Sequence, residues 1–480
     1  MSEKKPFYIT TPIFYPNAKL HLGHAYTTTL SDIIARYHRL VGDHVYFLTG
    51  SDENTQKMVD SAVKEGKEPL VFLDGIVENF ASLYKGLDIS YDQFIRTTDQ
   101  KKHWPGAQAL WQKLVAAGDI YKKAYEGLYC VGHEAFITEK DLVDGKCPDH
   151  GTVPEFIKEE NYFFRLSKYA PQIQEKIETD EFRIVPESRK HEILSFIQNE
   201  GLEDVSFSRP RKAAWPQGLG IPVPGDDSQV MYVWCDALAN YVTALGYGQD
   251  EVLYKEFWPA NVHVIGKDIL RFHAAIWPGM LLSAGVPLPK SLLVHGFITS
   301  GGKKMSKTLG NIIDPEELIE EYGGEAVRYF LARHITPFED GDITRESFKE
   351  IYNANLANGL GNLSARIMTL AEKHLDVGTR PEPAGFEEEY THALESFEVH
   401  KALDFVFTKV QALDRTITET EPFKLIKTEP EQAKKIIFDL TQELYSIARM
   451  LNPFMPETSE KIKAAVVANK KPENLFARKD

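Results

Sequence analysis

Over the first 50 residues, apolar runs and an amphipathic stripe alternate in the order strand, helix, strand. Phe7-Tyr8-Ile9-Thr10 predicts a strand, Leu30, Ile33, Ile34, Tyr37 and Val41 share one helical face, and Val45-Tyr46-Phe47-Leu48 predicts a second strand. This is a βαβ opening, the unit from which parallel sheets covered by helices are built. The strand-then-helix signal returns at Val262-His263-Val264-Ile265, and a further strand at Leu292-Leu293-Val294 leads into a Gly-Gly loop. Between the two halves, residues 116–215 have a different texture, with turns rich in Gly, Cys, His and Pro, followed by Ser206-Phe207-Ser208-Arg209-Pro210. The pattern predicts an α/β fold whose parallel sheet is interrupted by an inserted subdomain.

From about Ile351 the period becomes helical. Leu356, Leu360, Leu363, Ile367 and Leu370 form one stripe; Leu403, Val406, Val410, Leu413 and Ile417 a second; Ile437, Leu440, Leu444, Ile447 and Leu451 a third. Pro381 to Gly385 punctuates the first two, and the three amphipathic segments predict an α-helical bundle. The expected division is 1–115 and 216–350 for the two halves of the sheet domain, 116–215 for the insertion and 351–480 for the bundle.

Composition narrows the class. A chain of 480 residues that is 43% hydrophobic can bury more than one core. The start lacks an apolar signal stretch and the longest apolar run, Ala274 to Val286, is too short and broken to span a bilayer, so a soluble, cytoplasmic protein is expected. Three cysteines exclude a disulfide framework. A net charge of −15 argues against wholesale non-specific nucleic-acid binding but leaves room for a local basic groove.

Two segments carry phosphate chemistry. His21-Leu22-Gly23-His24 falls where the first strand hands over to the first helix, where free backbone N–H groups and the helix dipole favour an anion. Gly23 lets a nucleotide lie against the backbone, and two imidazoles three apart can both donate to phosphate oxygens. Gly301-Gly302-Lys303-Lys304-Met305-Ser306-Lys307 places Lys304 and Lys307 on a loop after a late strand, suited to the β- and γ-phosphates of ATP. Each segment alone is also compatible with an ordinary helix start or a solvated basic loop; together they are far more specific.

The pair resembles the two signatures of class I aminoacyl-tRNA synthetases. Thr11-Pro12-Ile13-Phe14-Tyr15-Pro16-Asn17, Thr49-Gly50-Ser51-Asp52-Glu53, Tyr232 to Ala237, Ile265-Gly266-Lys267-Asp268-Ile269 and Leu309-Gly310-Asn311 resemble the methionyl branch of that family, from about residue 6 to 460. The resemblance implies a Rossmann-type catalytic domain split by a zinc-knuckle-like subdomain and followed by the bundle. It also implies L-methionine, ATP with Mg²⁺, and tRNA(Met) as partners. Asp52 would take the ammonium of methionine, and Ile13, Tyr15, Trp234, Ala237, Leu238, Tyr241, Ile269 and His273 would line the thioether slot. Gly266 and Asp268 would meet the ATP ribose, and His295 with Ile298 the adenine. Leu238 stands where some relatives carry Pro, and Asn54-Thr55 where many carry His-Gly. An apolar slot discriminates a missing methylene only by about 1–3 kcal/mol, so imperfect rejection of homocysteine is expected.

Within the insertion, Cys130-Val131-Gly132-His133 and Cys147-Pro148-Asp149-His150 have the spacing of a tetrahedral S₂N₂ knuckle for one structural Zn²⁺; a metal-free knuckle held by packing is the alternative. On the first bundle helix, Asn355, Asn358, Asn362 and Arg366 line a polar stripe suited to splayed single-stranded bases. By resemblance Asn362 and Arg366 are the anticodon readers, joined by Phe423 where the family usually has Trp. A synthetase for leucine, isoleucine or valine is disfavoured because the insertion is too short for an editing domain. One for cysteine is disfavoured because neither signature is preceded by a strand-end Cys ligand for a catalytic zinc, and a non-catalytic RNA-binding relative would not need both signatures. A monomer is expected.

Overall fold

The computed structural model describes residues 4–130, 135–148, 151–211, 219–305, 311–376, 378, 381 and 385–480, without the side chains of Gln56, Lys57, Tyr125, Ala135, Phe136 and Lys304. The opening βαβ unit is β1 (Pro6–Phe14), α1 (Leu22–Val41) and β2 (His44–Ser51), followed by β3 (Gln93–Arg96). Strand β1 is buried over nearly all its length, as expected of a parallel strand covered on both faces. Helix α1 buries Leu30, Ile33, Ile34 and Tyr37, whereas Val41, expected on the same stripe, lies exposed in its last turn beside the left-handed Gly42 cap.

After helix α2 (Trp104–Ala116), the long antiparallel pair β4 (Ile120–Cys130) and β5 (Glu155–Phe164) projects into the insertion. Strand β6 (Arg183–Val185) then returns to the main sheet, so part of 116–215 completes that sheet rather than standing apart from it. Helix α3 (Val233–Thr243), β7 (Val262–Gly266) and β8 (Ser291–His295) follow. The six strands lie in the order β3-β2-β1-β7-β8-β6, all parallel. The chain moves outward from β1 through β2 and β3, crosses to the opposite edge with β6, and then fills the places between β1 and β6 with β7 and β8. That reversal is a topological switch point, and it opens a crevice beyond the carboxyl ends of β1 and β7.

One apolar core fills the space between α1, its face of the sheet and the C-terminal helices; a second lies on the opposite face, around α3 and the helices that follow β6 and β7. A hairpin of β9 (Ile298–Ser300) and β10 (Lys303–Lys304) leads to helix α4 (Gly324–His334). Beyond it, Leu356, Leu360, Leu363 and Ile367, the whole second stripe in α6 (Val399–Thr420) and the whole third stripe in α7 (Pro430–Leu451) are buried; Leu370 is only partly so. The first of these helices differs from expectation. Residues Tyr352–Gly361 form a wider π-helical stretch before α5 (Asn362–His374), so a uniform 100° per residue does not carry from Asn355 to Arg366.

Arg328, fully buried on α4, ties the halves of the molecule together. Its guanidinium donates to the carbonyls of Leu87, Pro453 and Phe454 at 3.0, 2.8 and 2.8 Å and pairs with Asp32 of α1 at 2.7 Å. Burial opposes ionisation of Asp32, but Arg328, Arg36 and two hydrogen bonds from Ser90 hold its carboxyl below the usual range.

Candidate active site

His21 is the N-cap of α1, with φ −97° and ψ 178°. The Gly23 N–H donates to His21 Nδ1 at 3.0 Å, and the His21 N–H donates to His24 Nδ1 at 3.1 Å, a capping box built from two imidazoles. A backbone N–H can only donate, so both Nδ1 atoms accept and each neutral ring carries its proton on Nε2. The rings lie 3.8 Å apart, centre to centre. Burial, with His21 and His295 nearby, pushes the His24 imidazole well below its usual pKa, so it is neutral at pH 7. The expectation of free backbone N–H groups at this helix start is corrected for Gly23, whose N–H is taken by His21. A Cβ on residue 23 would sit 2.9 Å from His21 Cε1, which glycine avoids.

The ends of β7 and β8 meet beside this cap. A Cβ on Gly266 would stand 2.7 Å from Asp268 Oδ1 and 3.7 Å from His295 Cε1, so these three ATP-site candidates converge. His295 Nδ1–H donates to the Gly296 carbonyl at 2.8 Å and its Nε2 lies 2.7 Å from Thr27 Oγ1, whose hydroxyl also faces the Gly23 carbonyl one turn back at 3.0 Å. Ile298 is buried in the first core.

On the other side of β1, Tyr241 Oη donates to His273 Nε2 at 2.7 Å, since His273 Nδ1–H is committed to the Ile269 carbonyl at 3.0 Å. Trp234 stacks flat on Phe272, with ring centres 3.7 Å apart, and meets the edge of His273. Ala237 and Leu238 are buried on α3; Ile13, Tyr15, Trp234 and Ile269 are half-buried against the second core. Ile13 lies opposite Gly50, and Asp52 is buried just past the end of β2; burial raises the Tyr241 phenol, a hydrogen bond with Asn240 opposes it, and the nearby Asp52 charge adds a smaller upward push. Asp52, Tyr241, His273 and Trp234 are thus linked each to the next, with Ile13, Tyr15, Leu238 and Ile269 buried or half-buried around the same core and Ala237 buried beside Leu238.

Burial lowers the His273 and His295 imidazoles to about 4. Unfolded imidazoles bind a proton near 6.5, so between those values the unfolded chain carries more protons. Stability is full above about 6.5 and falls as the pH drops towards 4. The thermal unfolding midpoint should fall between pH 7 and pH 5; a flat midpoint would contradict this assignment.

The second signature begins on β10, with Gly301 and Gly302 at φ +64° and +70° in the hairpin turn and Asp342 accepting from the Gly302 N–H and Thr299 Oγ1 at 2.8 and 2.7 Å. Met305 packs against the first core. Ser306 and Lys307, with the Lys304 side chain, lie outside the described residues, as do the knuckle residues His133 and His150. Cys130 and Cys147 are buried. Asn362 is exposed at the head of α5, Arg366 pairs with Asp414 of α6, and Phe423 is 44% exposed. Sequence reasoning missed Thr27, Phe272 and His103; Asp236 lay in the Tyr232–Ala237 segment without a role, and Asn54 stood out only as a departure where many relatives carry His.

The family described as tRNA synthetases class I (M) matches residues 7–153 and 139–368. The chain is 44% identical to the methionine–tRNA ligase of Clostridium acetobutylicum, covering 96% of this chain and 73% of that one. It is 42% identical to that of Brucella suis, covering 96% and 92%. The chain belongs to the methionine–tRNA ligases. Among solved structures, Mycobacterium tuberculosis methionyl-tRNA synthetase in complex with methionyl-adenylate superposes with a TM-score of 0.89 at 36% identity, over 99% of this chain and 100% of that one. The apo form of the same enzyme gives 0.84 at 34%.

Proposed function

We propose that this chain activates L-methionine with ATP to methionyl-adenylate and pyrophosphate, then transfers the methionyl group to the 3′ end of tRNA(Met) for translation initiation and elongation. The observation that carries the reading is the two-imidazole cap at the switch point, together with the linked set of Asp52, Trp234, Tyr241 and His273. Asp52 holds the ammonium. The carboxylate oxygen of methionine attacks the α-phosphorus, and the bond to the bridging oxygen of pyrophosphate breaks. His21 and His24 donate through Nε2–H to oxygens on which charge grows, while Lys304 and Lys307 serve the leaving pyrophosphate. Gly266, Asp268, His295 and Ile298 orient the nucleoside. Mg²⁺ arriving with ATP offsets phosphate charge. The 3′-terminal hydroxyl of the tRNA then attacks the methionyl carbonyl and AMP leaves. Incubation with ATP, labelled methionine and tRNA(Met) should give labelled tRNA; no charging would contradict the proposal.

The domain reading follows the same lines: 1–115 and 216–350 as halves of a Rossmann-type catalytic domain, 116–215 as the connective subdomain and 351–480 as the anticodon-binding bundle. The exposed Asn362, the Arg366 guanidinium and the half-exposed Phe423 support base recognition by that bundle. Arg366→Ala should leave pyrophosphate exchange unchanged and lower tRNA charging by about 5- to 150-fold, the worth of one stacked base. Equal loss of both activities would contradict the assignment.

One structural Zn²⁺ on Cys130, His133, Cys147 and His150 is supported by a burial pattern. Among the described side chains of residues 120–160, only Cys130 and Cys147 are buried. A unit whose described side chains bury so little apolar surface is the kind that a metal holds together, and the thiol and imidazole donors suit zinc. Elemental analysis should find one zinc per chain and a loss of most of it in Cys147→Ser; a metal-free native protein would favour the packed knuckle. Among the described residues no helix is long and apolar enough to cross a membrane. A cytoplasmic monomer completes the proposal.

A further inference from the structure

Two residues beyond Asp52, the buried Asn54 uses both ends of its carboxamide. Its Nδ2 donates to the Thr97 carbonyl at 2.9 Å and to Asp236 Oδ2 at 2.7 Å, and its Oδ1 accepts from the Gly220 N–H at 3.0 Å. The other Asp236 oxygen accepts from His103 Nε2 at 2.6 Å, and His103 Nδ1 meets Thr243 Oγ1 at 2.7 Å. Asn54, His103, Asp236 and Thr243 are all buried. A buried carboxylate is tolerated only where hydrogen bonds replace its lost water, so these partners hold Asp236 in one place. Helices α2 and α3 meet closely at the same point, since a Cβ on Gly106 would lie 2.7 Å from both Thr243 Cγ2 and the Tyr247 carbonyl oxygen.

This chain of bonds links two segments that lie 182 residues apart in the sequence. Asn54 belongs to the segment that carries Asp52, and Asp236 sits on α3 between Trp234 and Ala237. We propose that Asn54, Asp236 and His103 are positioning residues that fix the separation between the ammonium acceptor Asp52 and the slot wall on α3, and so set the enzyme's preference for side-chain length. The inference rests on the reading of Asp52 and the residues linked to it as a methionine site. A chain with that role governs methionine binding and homocysteine rejection but not ATP binding, whereas a purely structural chain would affect all three together.

The test is pyrophosphate exchange by Asn54→Asp, Asp236→Asn and the double variant, with KM measured for methionine, homocysteine and ATP. Asn54→Asp sets two carboxylates face to face, and Asp236→Asn leaves a single amide oxygen where two carboxylate oxygens had faced Asn54 Nδ2 and His103 Nε2. In the double variant the amide introduced at position 236 can donate to the carboxylate introduced at position 54. Each single change should raise the KM for methionine by about tenfold, the effect of one unsatisfied buried polar group, with the KM for ATP within about twofold. The preference for methionine over homocysteine should narrow, and the double variant should bind methionine better than either single one. Parallel changes in both KM values, or additive losses in the double variant, would overturn the inference. If the single variants fail to fold, Thr243→Val removes only the terminal hydroxyl and should raise the methionine KM about threefold by the same logic; no change would overturn it. Absence of methionine-dependent exchange in the unaltered protein would refute the activity, not the positioning role.

Discussion

Replacing His24 with asparagine is expected to slow methionine-dependent ATP–pyrophosphate exchange by about 10²–10³-fold, the usual effect of removing one preorganised donor to a developing anion. The choice of residue separates two roles of the imidazole. Asparagine Oδ1 occupies nearly the position of Nδ1 and can still accept from the His21 N–H, so the cap of α1 survives. What it lacks is a donor at the position of Nε2. His24→Gln has the complementary character, since it places an N–H near Nε2 but cannot cap as well, and it should retain more activity with lower thermal stability. The deficit should appear in kcat, with the KM for methionine changed little. An asparagine variant with near-normal kcat would show that the cap alone matters.

The largest effect on stability is expected at Arg328. Arg328→Met removes the guanidinium that meets Asp32 and the carbonyls of Leu87, Pro453 and Phe454, while preserving much of the apolar stem. Three carbonyls and one carboxylate then lose their buried donors. Breaking such a pair from one side costs about 3–5 kcal/mol. Asp32 keeps Arg36 at 2.7 Å and the two Ser90 bonds, which favours the lower end of that range. Denaturant unfolding should show the transition that includes the α1–C-terminal helix interface moving to lower concentration. Asp32→Asn together with Arg328→Met should cost less than the sum of the two changes, because the second removes the charge that the first leaves uncompensated. A midpoint unchanged within about 0.5 kcal/mol, as at an ordinary surface site, would contradict the role assigned to Arg328.

Much of this architecture is legible because it rests on apolar periodicity. Strands β1, β2, β7 and β8 are runs that only a sheet covered on both faces can bury, and the stripes of α6 and α7 are buried to the last residue predicted. The three-residue β6 carries too few positions to show a period, so its return to the main sheet was invisible until the chain folded. The π-helical stretch at Tyr352–Gly361 is equally hidden, because its apolar residues keep helical spacing while its turns widen. The site was legible by resemblance and by residue type: an acid at a strand end, aromatic residues, and imidazoles at a helix start. Its supporting bonds were not. That His21 and His24 cap the helix through Nδ1, and that Asn54 reaches Asp236 across 182 residues, are facts of three-dimensional proximity that linear spacing does not encode.

The central claim, that the switch-point crevice is a methionine-activating site, is tested most directly by ATP–pyrophosphate exchange across the standard amino acids with the intact chain. Exchange driven by methionine well above all others is the predicted result. Exchange driven by leucine or cysteine but not by methionine would contradict it.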